Sequence, residues 1–337
     1  MPIRSFIAML LLAPLTLAQE TAPPLFAADT PIIDYQNPQL PDYGRIGMVV
    51  SPEKLAGEIG LDMLKQGGNA IDAAVATGFA LAVTLPRAGN LGGGGFMLVH
   101  LAESDEQIFI DYRETAPAGA SRDMFLNADG TVNKAKAYFS RQAAGVPGTV
   151  AGLIHAQTQY GKLPLATVIQ PAIDLAEQGF DTPLALHMSL TSRAERLAMD
   201  PEAKRIYLQG TANAPAPGTL FKQPDLARTL QRIRDKGHDG FYRGETAALI
   251  AADMAANDGL ITADDLAGYR SLERSPVRGT FKEFEIVSVA PPSSGGIHVL
   301  QMLNLLEPYP LKSYGHNSAE YLHRLIESMK LAYADRS

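Results

Sequence analysis

The 337-residue chain is mildly acidic, with a formal net charge of −7 at pH 7, a hydrophobic content of 46% and no cysteine. That length suits one large or two ordinary domains with a full core. The acidic balance argues against a phosphate-binding surface, and so against nucleic acid as a partner. The lack of cysteine excludes disulfides, thiolate nucleophiles, iron–sulfur clusters and cysteine-based zinc sites.

Arg4 precedes an apolar run at residues 6–18. The run falls short of the roughly 20 apolar residues of a membrane span. It predicts a signal peptide over 1–18, with cleavage after Ala18 or as late as Ala28, and hence a periplasmic or secreted protein without a stable membrane span. A retained N-terminal anchor is the alternative. Residues 19–43, rich in proline and polar side chains, read as an extended leader, and the fold is expected over 44–337.

Within that region Ser51 is the expected cap of a first helix, with Pro52 at its first position. Leu55, Ile59 and Met63 form its apolar face, and Gly67 and Gly68 end it. Asn69 then caps a second helix that is apolar and small on nearly every side, and therefore buried. The glycines at 92–95 lead into a strand, a turn at 103–106 and a second strand, which together predict a largely buried hairpin. Arg113 stands at the exit of its second strand. Helical stretches follow at 148–161, 163–179 and 224–237. A further helix has Thr262 as cap and Asp265 three residues on. Strand character returns over 278–290, and a turn at 291–296 leads into a buried helix. The last helix is expected to start at Asn317, with Glu320 completing a capping box. Its apolar stripe is Leu322, Leu325, Ile326, Met329 and Tyr333. The pattern predicts layered α/β structure.

Few motifs carry chemistry by themselves. The glycines at 92–95 follow a helix and precede a strand, the reverse of a dinucleotide-binding turn. They read instead as a place of close backbone approach. Ser51 and Lys54 match Ser-x-x-Lys, but the partner motifs of penicillin-binding enzymes are missing, so Ser51 reads as a cap. Ser293 and Ser294, with the amides of Gly295 and Gly296, suit either an anion at a helix N-terminus or a cap on a tight turn. His316 and His323 lie seven apart with no third ligand nearby, and no metal site is expected. A Gly-x-Ser-x-Gly elbow is absent. Arg113 has two readings: a surface ion pair with Glu114 or Asp111, or a docking point for a substrate carboxylate.

Seven segments, taken together and in order, add what composition cannot. "GGNAIDAAVATGFALAVT", "AGNLGGGGFML", "DYRETAPAGASRDMF", "GVPGTVAGL", "GLITADDLAGY", "PPSSGGIHVLQMLN" and "AYADRS" resemble the large subunit of γ-glutamyltranspeptidases. The resemblance implies an N-terminal-nucleophile hydrolase of αββα architecture, here the half without its small subunit. It implies a precursor that cuts itself, and a threonine nucleophile at the start of the small subunit, expected beyond Ser337. It also implies transfer of a γ-glutamyl group from glutathione or related compounds to water, an amino acid or a peptide, without metal or organic cofactor. No catalytic residue is expected in this chain. The one substrate-binding residue carried over is Arg113, and the roles of Ser293, Ser294 and the glycines at 92–95 stay open. Within the same fold a β-lactam acylase or a poly-γ-glutamate-processing enzyme is the alternative. From another class, a non-catalytic periplasmic binding or assembly subunit is.

Overall fold

The structure, a computed structural model, describes residues 41–336. The expected signal peptide and nearly all of the extended leader lie outside the described residues. The compact unit begins at Ile46.

Helix α1 (Lys54–Lys65) starts two residues later than its sequence suggests. Glu53, not Ser51, is the cap, and its carboxylate accepts from the amides of Leu55 and Ala56. Ser51 Oγ instead accepts from the Glu53 amide at 3.4 Å. An acid at the cap is favoured by the same free amides and helix dipole that favour serine there. Met63 is buried, with Leu55 and Ile59 packed against the core.

Helix α2 (Ala70–Thr84) is capped by Asn69 in a reciprocal box with Asp72, and most of it is buried, as its composition demands. Its small side chains admit α1, α4 (Thr149–Tyr160) and α5 (Leu165–Gln178) against it. Between α2 and α4 come strands β1 (Gly95–Leu101) and β2 (Glu106–Tyr112), then a short helix α3 (Lys134–Phe139).

The expected hairpin is present, with Gly95 opposite Tyr112 and Leu101 opposite Glu106. A strand that the sequence does not announce, β5 (Leu272–Arg274), pairs antiparallel with the far edge of β2, giving the order β1-β2-β5. Two side-chain clusters fasten the helices around this sheet. His155 of α4 joins Ser271 and Glu273 at 2.9 Å each, and Glu273 also accepts from Tyr160. The fully buried Asp72 ties α2 to the end of α4 and to the turn that follows it.

A run of helices and short strands follows α5: β3 (Phe180–Asp181), α6 (Leu184–Thr191), α7 (Ala194–Leu197), α8 (Pro201–Tyr207), β4 (Leu220–Phe221), α9 (Pro224–Lys236), α10 (Asp239–Tyr242), α11 (Gly244–Ala256) and α12 (Ala263–Gly268). Thr262 and Asp265 make a full capping box at α12. The later strand pair is β6 (Val277–Phe281) with β7 (Phe284–Ser288), against which α13 (Ile297–Leu306) packs. After α14 (Leu311–Tyr314), helix α15 (Ala319–Arg336) packs on α13.

One expectation for α15 fails. Ser318 rather than Asn317 accepts at its N-terminus, from the Tyr321 amide, because Asn317 takes a left-handed conformation (φ 55°) outside the helix. The apolar stripe is present, and most of it is unpacked among the described residues. Ser328 and Ala332 are buried, while Leu322, Ile326, Met329 and Tyr333 are exposed. The small side chains let α13 approach closely, which the longer ones would prevent.

Strand parity gives the sheet its two faces. Met97, Val99, Leu101, Ile108, Ile110 and Tyr112 belong to the helix-covered core. Phe96, Leu98, Phe109 and Asp111 point to the opposite face, where Leu98 is exposed and Phe96 lies 5.5 Å from Phe109. The helices thus cover one face of the sheet, and the other carries Phe96, Leu98 and Phe109 beside the buried Asp111.

Candidate functional site

Arg113 leaves β2 on that second face. Its guanidinium lies over the Phe96 ring, 5.9 Å from the centroid, and its Nε is 3.2 Å from Glu114 Oε2. The Arg113 side chain is 53% exposed and that of Glu114 32%. Among the described residues neither terminal nitrogen of Arg113 donates a hydrogen bond, so the end of the fork is open. Of the two acids beside it, Glu114 takes the guanidinium. Asp111 does not: only 7% exposed, it accepts from the Arg113 backbone amide at 3.0 Å and pairs with Arg274 Nε at 2.8 Å.

The glycine run explains how these groups fit. A Cβ on Gly94 would lie 2.5 Å from the Tyr112 carbonyl and 3.0 Å from Glu114 Oε2, so a side chain there would displace the strand exit and its acid. Gly93 accepts from the amides of Gly148 and Thr149 at 2.7 and 3.0 Å, which brings the start of α4 against the same exit. The close-approach reading therefore holds for Gly94, which abuts Glu114, and for Gly95, which abuts the Tyr112 ring; a Cβ on Gly93 would meet only the Asn90 side chain, and one on Gly92 would meet nothing within 4 Å. Gly148 obeys the same constraint. A Cβ there would sit 2.0 Å from the Tyr112 carbonyl and 2.1 Å from the Tyr269 hydroxyl.

Two phenols line this corner. Burial pushes the Tyr112 hydroxyl up to about 12. Burial, with the charges of Asp111 and Glu114, also raises Tyr269. Both stay neutral near pH 7 and add no negative charge beside Arg113. Tyr269 donates to the Arg113 carbonyl at 2.8 Å. Sequence reasoning missed Tyr269 and Arg274. Each lies about 160 residues beyond Arg113, and no local signal marks either one.

The remaining sequence candidates do not join the site. Ser293 Oγ accepts from the Gly295 amide at 3.0 Å, and Ser288 Oγ donates to the Gly295 carbonyl at 2.9 Å. Neither Ser293 nor Ser294 caps α13: its N-cap is Gly296, without a side-chain bond. Ser293 closes its own turn, which removes it as a cap. Among the described residues no group of three or more His, Asp or Glu side chains is placed to hold a metal ion, and no helix is long and apolar enough to cross a membrane. A cavity of about 680 Å³ is lined by Asn90, Gly92, Tyr207 and Gln223, but Arg113 is not part of it.

The mixed α/β architecture is shared with solved γ-glutamyltranspeptidases, which are N-terminal-nucleophile hydrolases. The solved Helicobacter pylori γ-glutamyltranspeptidase superposes with a TM-score of 0.86 at 43% identity, over 88% of this chain and 85% of that one. The γ-glutamyltranspeptidase family model matches residues 56–337, and the chain belongs to that family. It is 45% identical over 291 residues to the glutathione hydrolase proenzyme of Escherichia coli (strain K12), covering 86% of this chain and 50% of that protein. It is also 40% identical over 312 residues to the acylase ACY 1 proenzyme of Pseudomonas sp. (strain SE83), covering 91% of this chain and 56% of that protein. The chain thus spans about half the length of the curated relatives it matches.

Proposed function

We propose that residues 44–337 are the large-subunit region of a γ-glutamyltransferase, or glutathione hydrolase. In this reading a small subunit from the same precursor supplies a threonine. Its hydroxyl attacks the γ-carbonyl of glutathione, the amine of cysteinylglycine leaves with a proton, and a γ-glutamyl ester remains for water, an amino acid or a peptide to take. This chain contributes Arg113, which pairs with the α-carboxylate of the γ-glutamyl group. The observation that carries the reading is the open end of that guanidinium, held from behind by Glu114 and Phe96. A planar fork fixed on one edge is suited to grip a carboxylate with two parallel hydrogen bonds. No metal or organic cofactor enters the scheme.

The 40% identity to an acylase favours one second reading, removal of an acyl side chain from a β-lactam by the same fold. One experiment separates the two. The full-length precursor, expressed and processed, is assayed on a γ-glutamyl anilide and on a side-chain-acylated β-lactam. Turnover of the first alone is expected. Turnover of the second alone would replace the transferase reading with the acylase one. Purified residues 1–337 are expected to turn over neither, and activity in that sample would overturn assignment of the nucleophile to the small subunit.

We also propose that the protein is exported, from the apolar run at 6–18 that follows Arg4. N-terminal sequencing of the exported large subunit should begin after Ala18 or near Ala28. Recovery of Met1 would refute this.

A further inference from the structure

The backbone of Arg113 is held from both sides. Its amide donates to Asp111 Oδ1 at 3.0 Å, and its carbonyl accepts from the Tyr269 hydroxyl at 2.8 Å. The second hold is the more constrained. Tyr269 is 5% exposed and follows the short helix α12. Its ring stacks on Tyr242, with centroids 5.6 Å apart and planes 9° from parallel, and Tyr242 stacks on His238 at 4.3 Å. Tyr242 is itself fixed: its hydroxyl donates to the Pro147 carbonyl at 2.8 Å and accepts from the Ala151 amide at 3.2 Å. The column His238–Tyr242–Tyr269 therefore runs through the core to the strand exit. Gly148 leaves open the space the last hydroxyl crosses, since a Cβ there would overlap it.

We infer that Tyr269 is a positioning residue for carboxylate recognition: by holding the Arg113 carbonyl, it sets the direction in which the guanidinium leaves the sheet. The inference rests on the reading of Arg113 as the carboxylate-binding residue. Arg113 is the first residue past the last paired position of β2, so the sheet no longer fixes its carbonyl. The Arg113 side chain is 53% exposed, and its contacts with Glu114 and Phe96 hold the edge and face of the guanidinium but not the backbone from which it leaves the strand. The hydroxyl of Tyr269 supplies the missing constraint from a buried, stacked ring. A tyrosine serving only the core would have its hydroxyl satisfied by any nearby carbonyl. The two roles differ in what removing the hydroxyl does to substrate discrimination.

The test uses Tyr269→Phe and Arg113→Ala in the complete, processed enzyme with two donors. One is a γ-glutamyl anilide. The other is the 4-aminobutanoyl anilide, which keeps the amine and the scissile amide but lacks the α-carboxylate. The ratio of their kcat/KM values reads carboxylate recognition and does not depend on the fraction of enzyme that has folded or been cleaved. Tyr269→Phe is expected to lower the ratio about three- to tenfold, the loss of one hydrogen bond, chiefly through KM for the γ-glutamyl donor. An unchanged ratio in Tyr269→Phe, beside a collapsed one in Arg113→Ala, would overturn the role of Tyr269 and leave that of Arg113 standing. An unchanged ratio in both would overturn the reading of Arg113, and this inference with it.

Discussion

Replacing Arg113 by alanine in the complete, processed enzyme is expected to lower kcat/KM for γ-glutamyl donors about ten- to a few hundred-fold. The magnitude follows from one charge-assisted hydrogen bond, which contributes about 1.5–3 kcal/mol, and is larger if both bonds of a bidentate pair are lost. The geometry favours the bidentate case. Glu114 lies at the Nε side of the guanidinium and Phe96 beneath its centre, and among the described residues the two terminal nitrogens donate no hydrogen bond. Arg113→Lys should recover only part of the loss, since an ammonium keeps the charge but cannot present two parallel donors. A plain surface ion pair predicts otherwise. Such pairs contribute about 0–1 kcal/mol, so either substitution would change kcat/KM by no more than about fivefold. Steady-state kinetics of both variants, after cleavage of the precursor is confirmed, decides the matter. Near-wild-type values for both would return Arg113 to the ion-pair role.

How much of this was legible in the sequence depends on the range of each interaction. The hairpin could be read because two short strand-forming runs and the turn between them are local, and Asn69 could be read as a cap because its partners lie two and three residues away. The glycine run announced close approach but not its target, since Glu114 and Tyr112 reach it only through the fold. Strand β5 was invisible: three residues, all exposed, carry no periodicity. Tyr269 ends a helix in a segment that looks like any core-facing turn, and its hydroxyl partner is 156 residues away. The misplaced caps at Glu53 and Ser318 share one cause. Each helix start offers two candidate caps within three residues, Ser51 and Glu53 or Asn317 and Ser318, and the local backbone chooses between them. At Asn317 a positive φ made the choice. At α15 periodicity identified the apolar face, most of which is exposed among the described residues, while the positions buried there are the small Ser328 and Ala332.

The second large effect concerns stability. Asp72 is fully buried, yet it is surrounded by donors: the amides of Asn69, Lys162 and Leu163, and the side-chain amide of Gln157 at 2.7 Å. Burial alone would raise its carboxyl, but these donors outweigh it and hold the group below its ordinary value of 3.8. Asp72→Ala would leave several buried donors without an acceptor at the joint between α2 and α4. It is expected to cost about 3–5 kcal/mol, read as a fall in Tm of roughly 5–10 °C for a unit of this size. Asp72→Asn keeps the shape and one acceptor, so it should cost less. Its pH dependence gives the sharper test. Because the folded carboxyl is the more acidic, the unfolded chain takes up the proton first as pH falls. The stabilisation from the charge is therefore fully present above about 3.8 and is lost as pH drops through the lower, folded value. The gap in Tm between wild type and Asp72→Asn should thus be constant from neutral pH down to about 4, then narrow below it. Asp200, Asp225, Asp265 and Glu273 are also held low, so both proteins lose stability in acid and only the difference between them isolates Asp72. A gap that stays constant through that range would show that the buried carboxylate contributes shape and hydrogen bonds at this joint, but no charge.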